Sequence, residues 1–175
     1  MLGPAERRAF SRSSLRHAAR LARSVAGAGR TAVISRSGEV LGLARRLGVR
    51  ALRERRPGLN AASRQGVQFA RKKGALAVLV LHADLPELQR NDLLAAMHAL
   101  ARHRGAVVAP DRDRAGTNAL ALRPAGRFQF RFGPQSFARH LAEARACKLR
   151  VRVLERAGLA RDVDTPAHYE ALVRG

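Results

Sequence analysis

An α/β three-layer sandwich with a mostly parallel sheet is the fold class the sequence predicts, on three observations. Segments of helical and strand periodicity alternate from one end of the chain to the other, the pattern of a sheet covered by helices on both faces. The run Ala75-Leu-Ala-Val-Leu-Val-Leu81 is apolar without alternation, which marks a strand buried on both faces, the central strand of a parallel sheet. Size is the third: 175 residues, 46 % apolar and 27 % charged, suit one domain with a sizeable core.

Pro4-Ala5-Glu6 opens the first helix, and Leu15, Ala18, Ala22 and Val25 fall at i, i+3, i+7 and i+10 on one face. With seven arginines and one acid in 30 residues, this stretch also has the composition of an organellar transit peptide, but its spacing favours a domain helix. Thr31 to Ser35 reads as a short strand, and Glu39 to Leu47 as a helix ended by Gly48. A short strand, Val49 to Leu52, leads to the Pro57-Gly58 turn, and Asn60 is placed to cap a helix running to Lys73. After the apolar strand, Asn91 caps a helix through His103, and Ala106 to Ala109 is a strand. A polar loop from Asp111 to Asn118 precedes the short strand Ala119 to Leu122. Pro134 opens a helix to about Cys147, Leu149 to Leu154 alternates as a strand, and Thr165-Pro166 starts a last helix.

Several function classes are excluded at once. No apolar run is long enough to cross a bilayer, and no secretory apolar segment follows the N-terminus, so the cytoplasm is the expected location. A single cysteine, Cys147, excludes a disulfide scaffold and any cysteine-based metal cluster. The net charge of +21 points toward a polyanion. Yet it is carried almost wholly by arginine and spread along the chain, residues 1–58, 59–116 and 117–175 holding +11, +4 and +6. With six Phe, one Tyr and no Trp to stack on bases, a nucleic-acid partner is disfavoured.

Chemistry concentrates in a few strings. Five of the six aspartates lie in His82-Ala-Asp84-Leu-Pro, Asp111-Arg-Asp113 and Asp162-Val-Asp164-Thr-Pro. Ligands of open α/β sheets bind beyond the carboxyl ends of the strands, and Asp84 lies just past the apolar strand. A carboxylate there can hold Mg²⁺ against phosphate oxygens, and Asp162 and Asp164, two apart in an extended segment, could add a second ligand. The competing reading makes these aspartates turn and capping residues. Gly133-Pro134 before a helix exposes backbone N–H groups where the dipole favours an anion, with the Ser136 and Thr117 hydroxyls as further donors, and a plain helix start is the competing reading. Histidines 17, 98, 103 and 140 sit on helical patterns and read as surface residues. No nucleophile–base pair, Walker lysine loop or GxGxxG is present.

Together the strings resemble the 2-phospho-L-lactate guanylyltransferase family, within the MobA-like nucleotidyltransferases. The most specific stretches are Ala109-Pro-Asp-Arg-Asp-Arg-Ala-Gly-Thr-Asn-Ala-Leu120 and Phe130-Arg-Phe-Gly-Pro-Gln-Ser-Phe-Ala-Arg-His140, supported by Pro57-Gly-Leu-Asn60 and the Asp84 and Asp162 strings. The resemblance implies guanylyl transfer from GTP to a small phosphorylated carboxylic acid (2-phospho-L-lactate, phosphoenolpyruvate or 3-phosphoglycerate), releasing pyrophosphate, toward the deazaflavin coenzyme F-420. By the match, Asp84 is the catalytic metal ligand, joined by Asp162 and Asp164 on Mg²⁺. Thr117, Gly133 and Ser136 bind the acceptor, and Asn60 lies by the nucleotide. His82 stands where the family usually has proline, and Gln135 where glycine is common. Family members also open with a strand and a Lys-containing loop ahead of the first helix. Residues 1–175 are therefore expected to be one nucleotidyltransferase domain, N-terminally truncated relative to the family, poorly soluble or weakly active, and compatible with a homodimer. A non-catalytic relative with a basic, polyanion-binding surface is the alternative.

Overall fold

A computed structural model describes residues 3–101, 104–124, 126 and 128–161. Helix α1 (Pro4–Ala26) starts where the Glu6 carboxylate accepts the Gly3 N–H at 2.7 Å, and ends at Gly27, whose φ of 86° only glycine adopts freely. Strand β1 (Ala32–Ser35) leads to α2 (Gly38–Arg46), capped by the Ser37 hydroxyl, which accepts the Val40 N–H. Strand β2 (Arg50–Arg53), helix α3 (Leu59–Lys72) and strand β3 (Val78–Leu81) follow. The rest is α4 (Arg90–Ala101), β4 (Gly105–Pro110), β5 (Thr117–Arg123), α5 (Ser136–Ala146), β6 (Arg150–Val153) and a short α6 (Ala157–Ala160). The helix expected from Thr165 lies outside the described residues. No described helix is long and apolar enough to cross a membrane.

The predicted alternation holds, and the three layers are visible in the packing. β1 and β2 pair in parallel, and a second sheet has the order β3-β5-β4-β6. In it β4 and β6 are parallel, whereas β5 runs antiparallel to both β3 and β4. Three of its four strands therefore point one way, and β5 is the reversed one. Side chains alternate across it. Ala106, Val108, Leu120 and Leu122 pack with Val67 of α3 and Phe137 and Ala144 of α5. On the opposite face Val107 and Ala121 meet Ala99 and Leu100 of α4, and Ala109 and Ala119 meet Ala18 of α1 and Leu93 of α4.

Two sequence expectations need correction. The apolar run Ala75–Leu81 forms a strand only from Val78, and among the described strands β3 is an edge of its sheet rather than its centre. Continuous apolarity reports helices on both faces, which β3 has, and says nothing about a neighbour on each side. The two-sided burial peaks in β4, wholly buried, and in β5, which is longer than the expected Ala119–Leu122 and buried at six of its seven residues.

Helix α6 is locked by an ion pair that the sequence did not advertise. Asp92 is buried at 3 % exposure, and its carboxylate accepts the Gln89 N–H and the Arg156 Nε–H, each at 2.9 Å. Gly158 lies against it: a Cβ there would overlap Asp92 Oδ2 and sit 2.7 Å from the Glu87 carbonyl oxygen. Gly158→Ala is predicted to destabilise the fold by about 1–3 kcal/mol, the usual cost of forcing an extra methyl into a packed site. Urea unfolding checks this, and an unchanged midpoint with an unchanged m-value would refute it.

Candidate functional site

The carboxyl ends of β3, β4 and β6 and the start of β5 meet at one edge of the sheet. Leu81 pairs with Ala119, Pro110 with Thr117, and Val108 with Val153. The His82 N–H donates to the Asn118 carbonyl at 2.9 Å, which carries the chain past β3 in register and presents Asp84 beyond it. Asp84 is half-buried, and its Oδ1 is fully buried with no hydrogen-bond partner among the described residues.

Asp111, which follows β4, is used differently. Its Oδ1 accepts the Ala115 N–H at 2.9 Å and its Oδ2 the Gly116 N–H at 2.6 Å, so it staples the loop that delivers Thr117. Gly116 is needed there, because a Cβ would stand 2.5 Å from Asp111 Oδ2.

The turn before α5 closes the other side. Gly133 has φ 121° and Gln135 has φ 57°, ψ 28°, a left-handed conformation that explains why glycine suits position 135. The Phe137 N–H donates to the Ala115 carbonyl at 3.2 Å, tying the first turn of α5 to the loop before Thr117. Thr117 and Ser136 are both buried at 2 % exposure, and Gly133 is exposed. Asn60, in the first turn of α3 rather than at its cap, grips one residue by both of its main-chain groups. Its Oδ1 accepts the Phe132 N–H at 2.7 Å, and its Nδ2 donates to the Phe132 carbonyl at 3.0 Å.

Asn60, Thr117, Gly133 and Ser136 are thereby gathered through Phe132 and the α5 turn, and Asp84 joins them through the His82–Asn118 contact. Asp162 and Asp164 lie outside the described residues. Among the described residues no group of three His, Cys, Asp or Glu side chains is arranged to hold a metal. A groove of about 440 Å³ between α1 and α2, lined by residues including Arg7, Arg8, Arg12 and Ser37, contains none of the site residues.

Sequence reasoning missed His140. Read as a surface residue, it is fully buried, 4.7 Å from the Phe132 ring and 5.8 Å from that of Phe128. Its Nε2 accepts the Arg131 N–H, and its Nδ1 lies 3.0 Å from Thr117 Oγ1. The available signal was periodicity: His140 stands at i+4 from Ser136, on the buried face of α5. Burial, then repulsion from His82, pushes its pKa down from 6.5 to about 4, with Glu143 pulling weakly the other way.

A histidine depressed in the folded state stabilises fully above its unfolded pKa, and the stability is lost as pH falls, because the unfolded chain takes a proton that the folded one refuses. The stability gap between wild type and His140→Phe is therefore predicted to be widest above pH 6.5 and to shrink toward pH 4. Denaturant unfolding across that range measures it. A constant gap would contradict the burial of a neutral ring.

With the geometry in place, comparison with known proteins gives a consistent picture. A family profile described as "Guanylyl transferase CofC like" matches residues 1–174. A phosphoenolpyruvate guanylyltransferase of Rubrobacter xylanophilus is 45 % identical over 141 residues, covering 81 % of this chain and 69 % of the relative. A protein of the same name from Sphaerobacter thermophilus is 41 % identical over 171 residues, 98 % of this chain and 82 % of the relative. A 3-phospho-D-glycerate guanylyltransferase of Phenylobacterium zucineum is 39 % identical over 155 residues, 86 % and 71 % respectively. Among solved structures, a CMP:2-keto-3-deoxy-manno-octonic acid synthetase complexed with CTP superposes with a TM-score of 0.67 at 15 % identity, over 91 % of this chain and 85 % of that one. At that identity the likeness shows the nucleotidyltransferase fold alone.

Proposed function

The chain belongs to the CofC-like guanylyl transferase family, and on that premise we propose that it transfers the guanylyl group of GTP to a small phosphorylated carboxylic acid. An oxygen of the acceptor phosphate attacks the α-phosphorus of GTP, the bond from that phosphorus to the β-phosphate bridge breaks, and pyrophosphate leaves. Phosphoenolpyruvate is the first acceptor to consider, since relatives at 45 % and 41 % identity carry that name. The product would then feed assembly of the deazaflavin coenzyme F-420.

The observation that carries the reading is the meeting, at one sheet edge, of an Asp84 carboxylate oxygen that is buried without a hydrogen-bond partner among the described residues, of buried Thr117 at the start of β5 and of buried Ser136 at the start of α5. Joining two polyanions asks for positioning and charge stabilisation more than for a nucleophile of the protein's own. Thr117 and Ser136 would orient the acceptor, with Gly133 opening the turn so that the start of α5 faces it. Asn60, its amide committed to Phe132, would act beside the nucleotide by holding that turn in place.

The donor set fits Mg²⁺, which is satisfied by one or two carboxylates plus substrate oxygens and water. Asp84 would hold it, with Asp162 and Asp164 as further ligands. Bound there, Mg²⁺ would neutralise charge accumulating on the departing pyrophosphate.

Asp84→Asn is predicted to abolish transfer, assayed as pyrophosphate release from GTP and phosphoenolpyruvate with Mg²⁺, while the thermal midpoint stays near wild type. Transfer at the wild-type rate would rule Asp84 out. Ser136→Ala should weaken acceptor binding by about 1–3 kcal/mol, the worth of a charge-assisted hydrogen bond, and leave GTP binding nearly unchanged. Calorimetry showing the reverse would move Ser136 to the nucleotide.

A further inference from the structure

We infer that His140 is a positioning residue that fixes which way the Thr117 hydroxyl points, leaving its proton for donation to an anionic oxygen of the acceptor. The inference rests on the placement of the acceptor at Thr117.

The Arg131 backbone N–H donates to His140 Nε2 at 3.0 Å. An amide nitrogen has no lone pair to accept with, so Nε2 carries no proton. A neutral imidazole has one N–H, which must then sit on Nδ1. That N–H donates to Thr117 Oγ1, 3.0 Å away. A hydroxyl has one proton and two lone pairs, and here a lone pair is spent while the proton is not. No described residue accepts it, although Thr117 is 2 % exposed.

An anionic phosphate or carboxylate oxygen has lone pairs and no proton to give, which is what the leftover donor fits. The opposite tautomer would turn Thr117 around: its proton would go to His140, and its lone pairs would face the anion. The choice is held from several sides. The ring is enclosed by Phe128 and Phe132, and Asn60 pins the Phe132 peptide next to the one that donates to Nε2. The Arg131 guanidinium is turned away, donating to Gln129 Oε1 at 2.8 Å. The titration of His140 agrees: with a pKa of about 4, the ring stays neutral near pH 7. His82 and Glu143 are the titratable groups that act on it.

The test combines a spectroscopic reading with kinetics on the whole chain. In ¹⁵N-histidine-labelled wild type, two-bond nitrogen–proton correlations should show His140 as the Nδ1–H tautomer, and the Nε2–H tautomer would overturn the inference whether or not any variant folds. In assays with GTP, Mg²⁺ and phosphoenolpyruvate, Thr117→Val should raise the KM for phosphoenolpyruvate about tenfold or more, with little change for GTP. His140→Phe should act in the same direction. His140→Asn, whose amide N–H takes the place of Nδ1–H, should recover most of the loss. His140→Gln, whose longer amide reaches the Nε2 side, should not. Once Thr117 is valine, His140→Phe should add almost nothing. Independent effects, or asparagine no better than phenylalanine, would overturn the role of His140. If Thr117→Val leaves the KM unchanged, the acceptor placement fails, and with it the role assigned to His140, even if the tautomer is Nδ1–H.

Discussion

The reversal of β5 is the constraint on which the rest of the site depends. Because β5 runs against β3 and β4, its first residue, and not its last, stands where those strands end. Thr117 thereby shares an edge with the loop bearing Asp84 and with the start of α5. The strand itself cannot drift. Leu120 and Leu122 are held on one face by α3 and α5, while Ala119 and Ala121 on the other admit α1 and α4 at close range. A hydroxyl mounted on such an element is positioned by the core, which is what a site working through orientation requires.

From that edge outward, the candidate site residues are held by bonds that come from several elements. Asp111 closes the loop before Thr117, α5 joins that loop through the Phe137 N–H, His140 reaches back from the next turn of α5, and Asn60 comes across from α3 to the Phe132 peptide. None of these contacts is large in energy. Together they favour one geometry, since each pairs a polar group that is at least partly withdrawn from water.

The sequence made some of this readable and hid the rest for identifiable reasons. Helix α1 was legible because Leu15, Ala18, Ala22 and Val25 repeat on one face, and the position of Asp84 because it follows an apolar strand. The direction of β5 was not, since alternation and apolarity are the same read either way along a strand. Asn60 reads as a cap because capping is a local habit of Asn, whereas its partner in the fold, Phe132, is 72 residues away. His140 looked like surface because a single polar residue on a helix usually is. Its burial shows only when the phase of Ser136, Phe137, His140 and Ala144 is followed together. Thr117, Gly133 and Ser136 came as a set from the family likeness, and the hydrogen bonds that bring them near one another came from the fold.

The arginine-rich composition gives Asp84 its meaning. With 34 basic and 13 acidic residues, an acid in this chain has guanidinium groups in excess around it, and most described acids are committed. Glu39, Glu54, Glu87, Asp92 and Glu155 pair with arginines, Glu6 caps α1, and Asp111 staples a loop. Asp84 makes neither an ion pair nor a hydrogen bond among the described residues, although one of its oxygens is buried. A buried carboxylate oxygen left without a donor costs stability, and a basic chain could relieve that cost with a single nearby arginine. Among the described residues no arginine pairs with Asp84, which is the arrangement that the proposed cation site needs. The charge excess then reads as background against which the one described carboxylate with a buried, unpartnered oxygen stands out.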